Sequence, residues 1–199
     1  MSVAPAVFLL QSKLREDDRV LVLDYECLVT LTGWLARPEA NPRPDSLSAH
    51  WEGHPSGRRS EFPSFHLQAA ILTPSLTAAI GPMLSRSGTL IPLLADDDGT
   101  VEVGSYQLYL VETVVDCLDV EKSSEPQQYT GFRRTVAFHP DRLPDTPAFR
   151  VPQVPTVTYW NRAAAERMVE LVGPDVEPLV VWSLDPDLPV HPNPMATRM

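Results

Sequence analysis

The run Tyr106–Gln107–Leu108–Tyr109–Leu110–Val111 leads directly into Glu112–Thr113–Val114–Val115–Asp116–Cys117–Leu118–Asp119–Val120–Glu121–Lys122–Ser123, and its reading decides the fold. The first part is dense in aromatic and apolar residues and predicts the most buried strand of the molecule. The second part turns acidic at Asp116, Asp119 and Glu121, so the chain is expected to leave the core carrying negative charge.

Strand signals spread outward from this stretch. Upstream, Thr89–Leu94 predicts a strand, and Asp96–Asp97–Asp98–Gly99 a tight hairpin turn into the quoted run. Thr73 at an N-cap, Pro74 at the first helical position and Leu76, Ile80, Met83 and Leu84 at helical spacing predict a helix, disturbed at Gly81–Pro82 and ended by Gly88. Nearer the N-terminus, Arg19–Tyr25 reads as a strand that continues weakly through Leu28–Leu31. From Ala36 to Pro63, five prolines and two glycines predict a long loop tacked down by Trp34 and Trp51. Phe65–Leu72 reads as a short strand or turn.

Downstream, Phe132–Phe138 alternates like a half-wet strand, and Ala148–Val151 and Val157–Trp160 predict two more. Asn161 caps a helix from Arg162 to about Val172, stopped at Gly173–Pro174, before a last strand at Leu179–Trp182. Strands outnumber helices. The expected class is α+β: one domain over 1–184 with a mixed, mostly antiparallel sheet and two main helices, then a Pro-rich tail over 185–199.

Composition narrows the function. The 199 residues are 43% hydrophobic and carry a net charge of −10, which suits a globular protein and disfavours binding to nucleic-acid phosphates. No apolar run is long enough to span a bilayer, and Val7–Leu10 is too short for a signal core, so a cytoplasmic protein is expected. Cys27 and Cys117 lie alone in apolar runs, which argues for buried thiols over a zinc cage or disulfide framework.

Motifs for chemistry are sparse. His50 and His54 are four apart but flanked by Gly53 and Pro55, so a helical metal pair is disfavoured; His66, His139 and His191 have no ligand-like neighbours. Asp96–Asp98 lacks the spacing of a calcium loop. There is no nucleophile elbow and no phosphate-binding glycine loop. Neither an enzyme nor a cofactor or metal site is expected. The remaining signal is charge: from Asp96 to Glu125 there are nine acidic residues against the single base Lys122. Asp96, Asp97, Asp98, Glu102, Asp119 and Glu121 are thus candidates for meeting a basic partner, with Trp51 as the candidate aromatic anchor.

The motif Val115–Asp116–Cys117–Leu118–Asp119 with Ser123 resembles the centre of a bacterial family once known only as a domain of unknown function and now grouped with immunity proteins of polymorphic toxin systems, the immunity-protein-eleven family. A tryptophan- and proline-rich opening (Trp34, Pro38, Pro42, Pro44, Trp51) and the Phe149–Arg150 step fall in the same order. The resemblance implies a protein that neutralises a cognate toxin by occluding it, with structural motif residues and no catalytic ones. The alternative is a small metal-dependent hydrolase using Asp116, Asp119 and a histidine such as His139.

Overall fold

A computed structural model describes residues 4–64, 70–128 and 131–194. In chain order the elements are β1 (Ala6–Ser12), β2 (Asp18–Leu23), α1 (Tyr25–Ala36), β3 (Leu47–Glu52), β4 (Arg58–Ser64), β5 (Ala70–Leu72) and α2 (Pro74–Leu84). They continue with β6 (Gly88–Asp97), β7 (Thr100–Val111), β8 (Ala148–Val151), β9 (Val154–Asn161), α3 (Arg162–Val172) and β10 (Val176–Ser183). The class is α+β, but the strands form two sheets where one was expected. Six strands run in the order β4-β2-β3-β6-β7-β5 and four in the order β10-β1-β9-β8. Only β2–β4 and β3–β6 are parallel, so the pairing is mixed and mostly antiparallel.

The quoted run forms the buried half of β7, where Leu108, Tyr109, Leu110 and Val111 are each 1% exposed. Asp98 and Gly99 take positive φ values of 50° and 85°, the backbone a two-residue hairpin requires. Thr73 caps α2 by accepting from the Leu76 N–H, and Asn161 caps α3 by accepting from the Ala164 N–H. α2 ends at Leu84, earlier than expected; Gly88 instead opens β6, where a Cβ would lie 2.1 Å from the Leu110 carbonyl oxygen.

Three expectations are corrected. Residues 25–36 form a third helix, not a strand extension, because Leu31, Trp34 and Leu35 recur at helical spacing and bury together, overriding the β-branched Val29 and Thr30. Residues 36–63 hold two strands. β3 lies inside the six-stranded sheet with Leu47, Ala49 and Trp51 alternately buried; Pro42, Pro44 and Pro55 stand outside it, and Pro63 falls on the edge strand β4 where it is tolerated. Residues 132–138 form no strand. Val136 and Phe138 are buried, but with the strap that follows β7 the backbone forms isolated bridges, Leu118–Phe138 and Pro126–Arg133, and a bond from the Ser124 N–H to the Thr135 carbonyl, in place of a continuous ladder. The opening apolar patch becomes β1, flanked by β10 and β9. Of the expected strand or turn over 65–72, residues 70–72 are β5 and 65–69 lie outside the described residues.

The six-stranded sheet curls until its edges meet, and the Ile71 N–H on β5 donates to Ser64 Oγ on β4 at 3.0 Å. Its inner face holds one core, with Leu21, Leu47, Ile91, Leu93 and Leu108, and α1 lays Leu31, Trp34 and Leu35 across one end. A second core joins the outer face near Leu72, Tyr109 and Phe62 to α2, α3 and the four-stranded sheet. The far face of that smaller sheet is covered by Cys117, Leu118, Val136 and Phe138 of the strap. The described part of the tail is docked: Asp185 pairs with Arg162 at 2.7 Å, and the His191 N–H donates to the Val180 carbonyl at 2.8 Å.

Two polar clamps hold the sheets together. Arg150 on β8 is 1% exposed and bonds only carbonyls: Nε donates to Val111 at 2.7 Å, and Nη1 to Leu35 at 2.8 Å and Pro155 at 2.9 Å. The guanidinium also lies 5.2 Å over Trp34. Burial pushes its pKa down to about 10, so it stays charged at neutral pH. At the other end Asp175, just before β10, accepts from both terminal nitrogens of Arg58 on β4, at 2.6 and 2.9 Å, and from the Glu61 N–H at 2.9 Å. Burial alone would raise the Asp175 pKa; the Arg58 fork outweighs it and holds the carboxyl below the usual range.

Arg150→Met leaves two buried carbonyls, those of Val111 and Leu35, and the half-buried Pro155 carbonyl without their donor. It should cost about 3 kcal/mol or more, read from the urea midpoint. Because the folded pKa of Asp175 is depressed, its contribution is present above the unfolded carboxylate value of about 4 and is lost as pH falls through the folded value. The melting-temperature gap between wild type and Asp175→Asn should be widest at neutral pH and close on acidification. A gap independent of pH contradicts this.

Candidate protein-binding face

The family-like motif is a clip. Cys117 and Leu118 are buried beneath the smaller sheet, and Val115 packs at their edge. Burial pushes the Cys117 thiol up to about 11, the property of an inert core thiol. Asp119 pairs with Lys122 at 2.9 Å and accepts the Lys122 N–H at 3.1 Å. Ser123 Oγ donates to the Asp119 carbonyl at 2.7 Å and accepts from the Ala137 N–H at 2.9 Å. These bonds fold the strap back on itself.

The residues of the hydrolase alternative are occupied separately. Asp116 accepts from Gln153 at 2.7 Å, and His139 Nδ1 lies 4.0 Å from the already paired Asp119. Among the described residues, no group of three or more histidine, cysteine or acidic side chains is placed to hold a metal ion.

The acidic hairpin divides by face. Asp97 bonds Arg19 at 2.6 Å and Arg59 at 2.5 Å, and Glu102 bonds Arg59 at 3.0 Å. The two guanidiniums stack over Trp51 at 5.5 and 4.8 Å, and Tyr106 meets its edge at 5.4 Å between ring centroids. This assembly closes the end of the inner core opposite α1. Trp51 is 8% exposed, so it is not a surface anchor, and Asp97 and Glu102, partly exposed, are paired with Arg19 and Arg59 of the same molecule. Asp96 accepts from the Gly99 N–H at 2.8 Å, while Asp98 and Glu121 stand in solvent.

The opposite, outer face of the same strands is bare. Opposed residues share a face, and the register runs Val22–His50–Asp96–Val101 across β2, β3, β6 and β7, with Ser48–Leu94–Val103 beside it. α2 reaches Leu90, whose Cδ1 lies 3.3 Å from a Cβ built at Gly81; beyond Pro92 the β6–β7 side of the face stands open, while Val20 at its β2 end is buried. Val103 is 72% exposed and Val101 53%, with Leu94 and Val22 half-buried. His50 lies between Asp24 at 2.8 Å and Glu52 at 3.4 Å. The bond to Asp24, reinforced by Glu52, raises its pKa above the ordinary imidazole value against the opposing pull of burial. Tyr25, next to Asp24 at the start of α1, is 80% exposed.

Compared with models of known protein families and with curated proteins, the chain matches none. The family resemblance therefore rests on the motif residues alone. Among the described residues, no helix is long and apolar enough to cross a membrane.

The two sides of the hairpin should respond differently to mutation. Asp97→Asn removes the counter-charge of the buried Arg19 and should lower the urea midpoint clearly, whereas Asp98→Asn should leave it unchanged. Equal effects contradict the division.

Proposed function

We propose that this protein acts by binding another protein, as an immunity protein that neutralises a cognate toxin by covering its surface. The observation that carries the reading is the bare outer face of β2, β3, β6 and β7. An exposed patch of valines and a tyrosine rimmed by carboxylates is the composition of a docking surface: an apolar centre supplies affinity, and the charged rim speeds and orients encounter. The clip around Asp119 supports the same reading, since the motif residues are structural, as the resemblance implies.

The test is protection. Cells expressing the toxin encoded next to this gene should survive when they make this protein. They should die when it carries Asp24→Lys, Glu52→Lys and Asp96→Lys together, although the variant folds. No protection by the wild type overturns the proposal, and survival with the triple variant overturns the outer face as the surface that carries it.

A further inference from the structure

The bare face also indicates the chemistry of its partner. Across the four strands it presents Val22, Leu94, Val101 and Val103 as apolar ground, and Asp24, Glu52 and Asp96 as charge; none of the residues registered on it is a lysine or arginine. The one basic side chain of these strands, Arg19 on β2, points the other way and is bound to Asp97 under the hairpin together with Arg59 of β4, while Arg58 of β4, registered beside Asp18, is held by Asp18 and Asp175. The face is therefore an anionic rim around valines in which, among the described residues, His50 is the one titratable partner that Asp24 and Glu52 bond.

A second copy of this chain would bring the same carboxylates against themselves, and juxtaposed like charges oppose association. A membrane surface with anionic lipids is disfavoured for the same reason. A nucleic acid is disfavoured by its phosphates. What complements the face is a protein segment alternating cationic and aliphatic side chains.

We propose that this face seats such a segment, and that its lysine or arginine enters between Asp24 and Glu52 and competes with His50 for their carboxylates. The inference rests on the binding role proposed above and adds the partner's chemistry and its point of entry. It also supplies a reporter within the site. A cation at Asp24 and Glu52 withdraws the partners that favour charged His50, so occupancy must lower the pH at which His50 titrates. Asp96, opposite His50 on β6, is the remaining carboxylate that faces the ring in the strand register, and Val22 flanks it on β2.

The experiment uses the full chain and a capped hexapeptide of alternating lysine and valine, with the glutamate–valine hexapeptide as control. Methyl and imidazole resonances are followed by NMR. The cationic peptide should shift the Val101 and Val103 methyls and move the His50 titration midpoint to lower pH, and the acidic peptide should do neither. Val103→Glu, at an exposed position that leaves the core intact, should weaken binding, and Asp24→Asn with Glu52→Gln should weaken it about tenfold.

No perturbation by the cationic peptide, equal perturbation by both peptides, or shifts that follow protein dilution without peptide would each overturn the proposal. The two readings fail separately. Peptide binding without protection from the toxin removes the immunity role and leaves the surface; protection unaffected by Val103→Glu removes the surface and leaves the role.

Discussion

The structure depends on a buried guanidinium with no carboxylate bonded to it among the described residues. Arg150 is held by the carbonyls of Val111 at the end of β7, Leu35 near the end of α1 and Pro155 near the start of β9. Carbonyls at the ends of elements lack partners within their own element, so one planar donor satisfies several groups that would otherwise be costly to bury. Desolvating the cation works against the fold, as its lowered pKa records. The charge-assisted bonds and the Trp34 ring offset that. Lysine, with a single nitrogen centre, could not span the same three oxygens.

Arg150 works at the α1 end of the curled sheet, and the Asp175–Arg58 fork works at the other. Between them the smaller sheet is fixed against one side of the curl, over Phe62, Leu72 and Tyr109. The same arrangement leaves the side formed by β2, β3, β6 and β7 uncovered. The open face is thus a consequence of where the two clamps sit. Charge is sorted accordingly: Arg19 and Arg59 with Asp97 and Glu102 lie at the end of the inner core, and Asp24 and Glu52 lie outside with His50 between them.

What could be read from the sequence followed local chemistry. The caps at Thr73 and Asn161, the Asp98–Gly99 turn and the buried half of β7 are each written in a few adjacent residues. Residues 25–36 were misleading because β-branched side chains sit on the exposed side of a helix whose buried side is set by Leu31, Trp34 and Leu35. β3 was hidden by prolines that frame it. The open outer face was hidden for a different reason: its residues come from four strands and meet only through register. Tyr25 carried a weak signal, an aromatic residue beside an acid at a helix start. Trp51 misled because a tryptophan in a proline-rich stretch is still more often covered than exposed, and here two arginines cover it.

If the proposed role holds, one surface of the molecule touches its partner. Hydroxyl-radical footprinting of the protein alone and mixed with the toxin proposed as its partner measures that side chain by side chain. Protection should concentrate at Tyr25, His50, Leu94, Val101 and Val103, while the exposed Leu171 and Val190 oxidise as in the free protein. Protection confined to the strap around Val114 and Val120, or to α3, would contradict it.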